Sequence, residues 1–238
     1  MSRKERIRPF VLVNVAVSAD GKLSTRERRQ VKISGPDDFD RGDIIKSGAD
    51  AIMVGIGTVL ADNPSLTIKS AERIQERLSQ GRPEHPVRVV VDSLARTPPD
   101  AKILHKGPGQ RIIVVSENAP PSRIEGLRPL ATIITTPGDR VDLAFLLEEL
   151  GKQGIRRLMV EGGGRLISSL FAAGLVDQLS MFIGNMIIGG ENAPTLADGE
   201  GWIREEEFTR LDLAGVQTLD EGVLISWNVR RDTRTGSG

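Results

Sequence analysis

The residues best placed to do chemistry are Glu161-Gly162-Gly163-Gly164, which follow the short apolar run Arg157 to Val160 and lead into a second apolar segment. Glycines without Cβ atoms let the backbone approach a ligand closely and adopt positive φ. If a helix starts there, its unpaired N–H groups and its dipole favour an anion over the turn. Glu161 breaks that pattern, because a carboxylate at the end of a buried strand is costly unless it has a partner or a task. Other polar groups follow other apolar runs: Ser18 and Asp20, then Thr58 and Asp62, then Asp92, Ser93 and Arg96. In open α/β sheets ligands bind beyond the carboxyl ends of the strands. These sets are therefore expected to share one rim, suited to a phosphorylated, polyhydroxylated ligand.

Short strands alternating with helices must carry these groups. Phe10 to Ser18 reads as a buried first strand ended by Asp20-Gly21 turn chemistry. Ser34 is expected to cap a helix running to about Lys46, with Pro36 in its first turn. Ala51 to Gly55 is a second strand, after which Thr58 is expected to cap a short helical turn ending at Asn63-Pro64. A helix is expected near Glu72 to Gln80. Strands follow at Pro86 to Ser93, Arg111 to Ser116 and Ala131 to Thr135, with a proline-bearing loop over Asn118 to Ser122. Leu143, Leu146, Leu147 and Leu150 have helical spacing. A strand at 157–160 and a helix to about Ala173 complete the alternating part, which predicts a mostly parallel sheet covered by helices on both faces. Beyond Gly174 the pattern turns strand-rich, at Gln178 to Gly184, Met186 to Ile188, Phe208 to Leu219 and Val223 to Val229. The last two are joined by a hairpin at Asp220-Glu221-Gly222. The fold class is α/β with antiparallel C-terminal strands. One domain is expected over 9–230, with flexible termini at 1–8 and 231–238.

Composition excludes several classes. Lys+Arg and Asp+Glu are both 32, aromatics are 3% and Tyr is absent, which argues against nucleic-acid binding. There is no Cys for a disulfide, thiolate metal site or thiol nucleophile. His85 and His105 are read as loop residues rather than metal ligands, so no metal is expected. The basic groups Arg3-Lys4, Arg26 to Arg29 and Arg156-Arg157 are short and read as solvated. No signal peptide or membrane span is evident, so a cytoplasmic protein is expected. Gly55-Ile56-Gly57 matches only two glycines of the dinucleotide fingerprint. No Walker A sequence or Gly-x-Ser-x-Gly elbow occurs. Residue patterns alone stop at an α/β enzyme with a phosphate-bearing ligand.

Taken in order, Val13 to Leu23, Val54 to Pro64, Val89 to Ser93, Glu161 to Gly164, Gly189 to Pro194 and Asp198 to Gly201 resemble the riboflavin-biosynthesis pyrimidine reductases over about residues 9–230. That family is similar in fold to dihydrofolate reductase, which implies a nicotinamide held without the standard fingerprint. The resemblance implies reduction by NADPH, with NADH as a possible substitute, of the ribosylamino chain of a pyrimidinone 5′-phosphate to a ribitylamino chain. The His-x-Glu and Pro-Cys-x-x-Cys zinc motif of a deaminase is absent. The chain thus resembles the stand-alone branch, whose substrate is 2,5-diamino-6-ribosylamino-4(3H)-pyrimidinone 5′-phosphate. The deaminated 5-amino-6-ribosylaminouracil 5′-phosphate, another pterin or pyrimidine, or mere nucleotide sensing are the alternatives.

By position, the resemblance implies cofactor contacts from Ala16, Thr58, Asp62 and the turn Gly162, Gly163, Gly164, Arg165 and Leu166. Ser93 or Arg96 would read the adenosine 2′-phosphate. Substrate contacts are implied for Asn14, Lys46, Leu66, Lys69 and Glu161. Lys46 and Lys69 stand where many relatives have Arg, keeping the charge but not the planar fork. Glu161 and Asp20 are the implied catalytic carboxylates, with Asp20 either protonating the substrate nitrogen or orienting its loop. A branched side chain at Gly163 is expected to fill the phosphate's space. The relatives form dimers, so a homodimer, built through the late strands, is expected.

Overall fold

The structure, a computed structural model, describes residues 8–29 and 31–230. The expected flexible termini and Arg3-Lys4 lie outside these, except Arg8, which is tied to Asp177 by an ion pair of 2.9 Å. The elements are β1 (Phe10–Ser18), α1 (Pro36–Gly48), β2 (Ala51–Gly55), α2 (Ile56–Asp62), α3 (Ala71–Ser79), β3 (Val87–Val91), α4 (Lys102–His105) and β4 (Arg111–Ser116). They continue with α5 (Pro121–Leu127), β5 (Thr132–Thr136), α6 (Leu143–Lys152), β6 (Arg157–Val160), α7 (Gly164–Ala172), β7 (Gln178–Gly184), β8 (Leu211–Leu219) and β9 (Gly222–Val229).

Among the described residues all nine strands form one sheet, in the order β5-β4-β3-β2-β6-β1-β7-β9-β8. Pairings from β5 through to β7 are parallel; β7–β9 and β9–β8 are antiparallel. The expected mixed sheet is therefore present. β6 is inserted between β2 and β1, from which the chain winds outward in opposite directions. The carboxyl end of β6 is thus the switch point where an open α/β sheet forms its ligand crevice.

Burial follows the pleat. Val11, Val13, Val15 and Val17 of β1 enter a core with Leu146, Leu147 and Leu150 of α6 and Ile167 and Leu170 of α7. The opposite face carries a second core, in which Ile52, Val54, Val90 and Ile113 meet Ile103 and Leu104 of α4 and Leu127 of α5. Each such aliphatic side chain contributes about 1.5–3 kcal/mol on burial. Leu12, Asn14 and Ala16 of β1 alternate with the buried valines and are only half-buried. That leaves an accessible polar position in the middle of the sheet.

Several local expectations are corrected. The α1 N-cap is Gly35, not Ser34, and it makes no side-chain capping bond. Asp220, at the β8–β9 turn, caps the helix instead, accepting from the Asp37 and Asp38 amides at 3.1 and 3.0 Å. This long-range cap ties the hairpin to α1. Thr58 lies within α2, whose N-cap is Gly55. Pro121 opens α5 rather than extending a loop, because proline lacks only an amide that is unpaired at N1 anyway. His105 ends the short α4 and is not in a loop. Met186 to Ile188 forms no strand, and β8 begins at Leu211 rather than Phe208. Among the described residues no helix is long and apolar enough to cross a membrane.

Candidate active site

Beyond β6 the chain makes the expected glycine turn into α7. Gly162 and Gly163 have φ of 120° and 93°, conformations that side-chain-bearing residues rarely adopt. A Cβ on Gly162 would sit 3.6 Å from the Thr58 hydroxyl, so α2 and the turn share one wall. A Cβ on Gly163 would meet the Gly55 backbone nitrogen at 3.5 Å instead. That is an ordinary contact, so what disfavours a branched residue at Gly163 in the fold is the φ of 93° itself. Gly164 supports the opposite side, where an added Cβ would lie 2.4 Å from the Thr195 carbonyl oxygen. Leu166 is buried against Gly55. Gly164, Arg165 and Leu166 offer the free amides of the first turn of α7, while the Arg165 side chain points to solvent.

In front of this turn lies a cleft of about 410 Å³, lined by Thr58, Asp62, Asn63, Pro64, Ser65, Leu66, Lys69, Lys102, Lys106 and Glu161. It unites five of the expected site residues, Thr58, Asp62, Leu66 and Lys69 from one stretch of chain and Glu161 from another. Lys46 joins them through its ion pair with Glu161 (3.0 Å), with side chains 14% and 20% exposed respectively. Burial raises the Asp62 carboxyl above its ordinary range. The Lys69 ammonium is pushed below its usual value, first by burial and then by Lys46 and Lys106 nearby. Its amine donates to the Ser65 and Thr67 hydroxyls, each at 3.0 Å.

Neighbouring side chains fix these positions. Asp43 of α1 accepts from the Lys69 and Ser70 amides at 2.8 and 3.1 Å and pairs with Arg73. The segment leading into α3 is thereby held against α1. Leu66 has φ 51°, and its side chain is almost fully buried. Asn14 points from the middle of β1 and accepts from the Arg41 guanidinium at 2.8 Å; Arg41 also donates to Asp38 and Ser180. Ala16 is two residues further along the same face.

The remaining expected residues lie outside the cleft lining. The Ser93 hydroxyl accepts from the Val141 amide at 3.2 Å. Arg96 donates to Asp92 at 3.3 Å, its side chain about half exposed. The fully buried Asp92 accepts from the amide and hydroxyl of Thr97, so it builds the loop after β3. Asp20 accepts from Ser18, from the Ile188 amide at 3.0 Å and from the Gly189 amide at 2.7 Å. The Ser18 hydroxyl and then those amides lower its pKa to about 2. A carboxyl so stabilised as an anion is a poor proton donor, so of the two roles left open for Asp20 the geometry matches loop orientation, not protonation.

Lys102, Lys106 and Ser65 were missed from the sequence, as was Arg41. Lys102 and Lys106 lie on and just after a four-residue helix, too short to show a period. Arg41 looks like any charged residue of a polar helix until its reach to β1 is known.

The family model described as the RibD C-terminal domain matches residues 9–225. A 2,5-diamino-6-ribosylamino-4(3H)-pyrimidinone 5′-phosphate reductase from Archaeoglobus fulgidus is 44% identical over 209 residues, 88% of this chain and 95% of that protein. The protein of the same name from Methanothermobacter thermautotrophicus is 43% identical over 224 residues, covering 94% and 100%. In fold, a pyrimidine reductase-like protein from Corynebacterium diphtheriae superimposes with a TM-score of 0.77 at 18% identity, over 94% of this chain and 93% of that one. The chain belongs to the RibD C-terminal domain family.

Proposed function

We propose that this chain is an NADPH-dependent reductase of 2,5-diamino-6-ribosylamino-4(3H)-pyrimidinone 5′-phosphate, yielding the ribitylamino product. The supporting observation is the near-full-length identity to archaeal proteins of that name, together with a cleft bearing both anion-binding and carboxylate groups at the switch point. The residues present fit a dinucleotide phosphate, because the turn at Gly162 has no side chain and α7 opens there with unpaired amides. Thr58, Asp62 and the turn Gly162 to Leu166 would hold the cofactor, with Ala16 beside the nicotinamide and Ser93 or Arg96 toward the 2′-phosphate. Arg96 suits that grip, since only its Nε is engaged by Asp92.

When bound, NADPH supplies a hydride, accepted by the carbon of the ring-opened C=N bond while the nitrogen gains a proton. The chain's own work is binding and orientation. Glu161 is held by Lys46 through one carboxylate oxygen, leaving the other for substrate hydroxyl or amino groups. Lys69 offers its ammonium to the substrate phosphate, Leu66 gives an apolar edge, and Asn14 presents its amide NH₂ because Arg41 occupies its oxygen. Asp20 acts as a clamp on the loop at Ile188 and Gly189.

A homodimer through the late strands completes the reading. β8 forms the sheet edge, and a bulge between Leu213 and Gly215 keeps Leu213 and Val216 on the face that carries Trp227 and Ile225. Both are 58% exposed. Such an apolar edge needs covering.

The test is loss of the reduced nicotinamide's near-ultraviolet absorbance with the diaminopyrimidinone, the deaminated uracil analogue or dihydrofolate. Turnover restricted to the diaminopyrimidinone is expected. Turnover only with dihydrofolate, or binding of NADPH without turnover on any of them, refutes the assignment.

A further inference from the structure

We propose that Lys102 and Lys106, from the loop after β3, are further ligands for a phosphomonoester dianion, which they hold in the cleft together with Lys69 and Ser65. The inference rests on the reductase reading and adds to it two specificity residues from a different chain segment.

The argument starts from charge that has no counter-ion. Lys46 is neutralised by Glu161, but among the described residues Lys69, Lys102 and Lys106 are within ion-pair distance of no carboxylate. All three line one cleft together with Ser65, to whose hydroxyl Lys69 donates. Lys106 is close enough to Lys69 to lower its protonation, behind burial and Lys46 as causes, and both line the same cleft. Three ammonium groups lining one cleft beside hydroxyls repel one another until an anion joins them. A phosphomonoester, carrying close to two negative charges at neutral pH, fits that need.

The loop that carries these lysines is fixed rather than floppy. Arg88 is fully buried in β3 and donates to the carbonyls of Lys106 and Pro108 and, at longer range, of Ile103, Gly107 and Gly109. Burying a cation is costly, and its pKa is lowered to about 10, chiefly by that burial. The side chain spends that cost on the backbone of the lysine loop. From the other wall, the Asn63 side chain accepts from the Lys102 amide at 2.8 Å. The end of α2 and the lysine loop are thereby locked together across the cleft, which presets the distance between Lys102, Lys106 and Lys69.

The dianion has two sources, the substrate's 5′-phosphate and the cofactor's adenosine 2′-phosphate. Both lysines are exposed, so Lys102→Ala and Lys106→Ala should fold normally. Calorimetric titration with ribose 5-phosphate would be run beside KM for the phosphorylated substrate and for its dephosphorylated nucleoside, and beside the affinities for NADPH and NADH. With the substrate as source, each variant weakens ribose 5-phosphate binding and raises the phosphorylated KM about tenfold or more. kcat, the nucleoside KM and the NADPH preference stay put, and Lys106→Arg retains most of the binding. Collapse of the NADPH preference alone assigns the dianion to the cofactor. Unchanged values in every arm overturn the inference. If the wild type turns over no pyrimidinone yet the variants lose ribose 5-phosphate binding, the reductase reading fails and the phosphate site stands.

Discussion

The ion pair between Lys46 and Glu161 allows a quantitative test, because both partners are about four-fifths buried or more. At 3.0 Å the gross attraction in an effective dielectric of 20 is about 5 kcal/mol. Desolvation of two ions costs several kcal/mol each and offsets most of it, so the pair adds little net stability to the fold. Removing one partner behaves differently, since the remaining charge keeps its burial cost and loses its compensation. For fully buried pairs that costs about 3–5 kcal/mol. With 14% and 20% of the side chains in contact with water, about 1–3 kcal/mol is expected here. Lys46→Met and Glu161→Gln should each lower unfolding free energy by that amount. The double variant, with no charge left, should lie near the wild type, a coupling of about 2–6 kcal/mol in a denaturant double-mutant cycle. On the functional side, Glu161→Gln should reduce kcat/KM for the pyrimidinone about a hundredfold, roughly 2.7 kcal/mol of transition-state stabilisation. NADPH affinity should change less than about twofold. Additivity of the two substitutions within about 0.5 kcal/mol would show that the pair carries no interaction in solution. Equal loss of cofactor and substrate binding would remove Glu161 from the substrate's side of the cleft.

The clamp at Asp20 has its own pH signature. Its pKa falls from 3.8 to about 2 in the folded state, so its contribution is complete above the ordinary carboxylate range and is lost as pH falls toward 2. Amide exchange at Ile188 and Gly189 should stay slow down to about pH 4 and accelerate below it, whereas Asp20→Asn should speed exchange already at neutral pH; protection unaffected by the substitution would show that the loop is held otherwise. At the sheet edge, Leu213→Lys with Val216→Lys should convert the proposed dimer to a monomer in light scattering without loss of fold. A wild type that is monomeric at micromolar concentration would refute the interface.

The parts of this fold that were legible in the sequence are those fixed by local chemistry. Val11, Val13, Val15 and Val17 announce a strand by alternation, and the glycines at 162–164 announce a turn because no other residue tolerates φ of 120° and 93° in succession. Thr58, Asp62 and Glu161 were readable as one group because each follows a strand end, where sheet geometry gathers ligands, whereas Leu66 and Lys69, beyond α2, were legible only through the family resemblance. What stayed hidden depends on neighbours distant in sequence. Asp220 caps α1 across more than 180 residues, so Ser34, with the right residue type in the right place, lost the role. Lys102 and Lys106 enter the cleft only because Arg88, invisible as a cation in a valine-rich strand, gathers the carbonyls of their loop. Asp20 illustrates the same limit from the other side. The resemblance left it as either a proton donor or an orienter of its loop, and two amides from 168 and 169 residues away engage its oxygens. Residue type at a strand end therefore identifies who is present at the rim. Whether a carboxylate there acts on a ligand or on the protein is decided by which backbone amides reach it first, and those amides come from segments that only the completed sheet brings near.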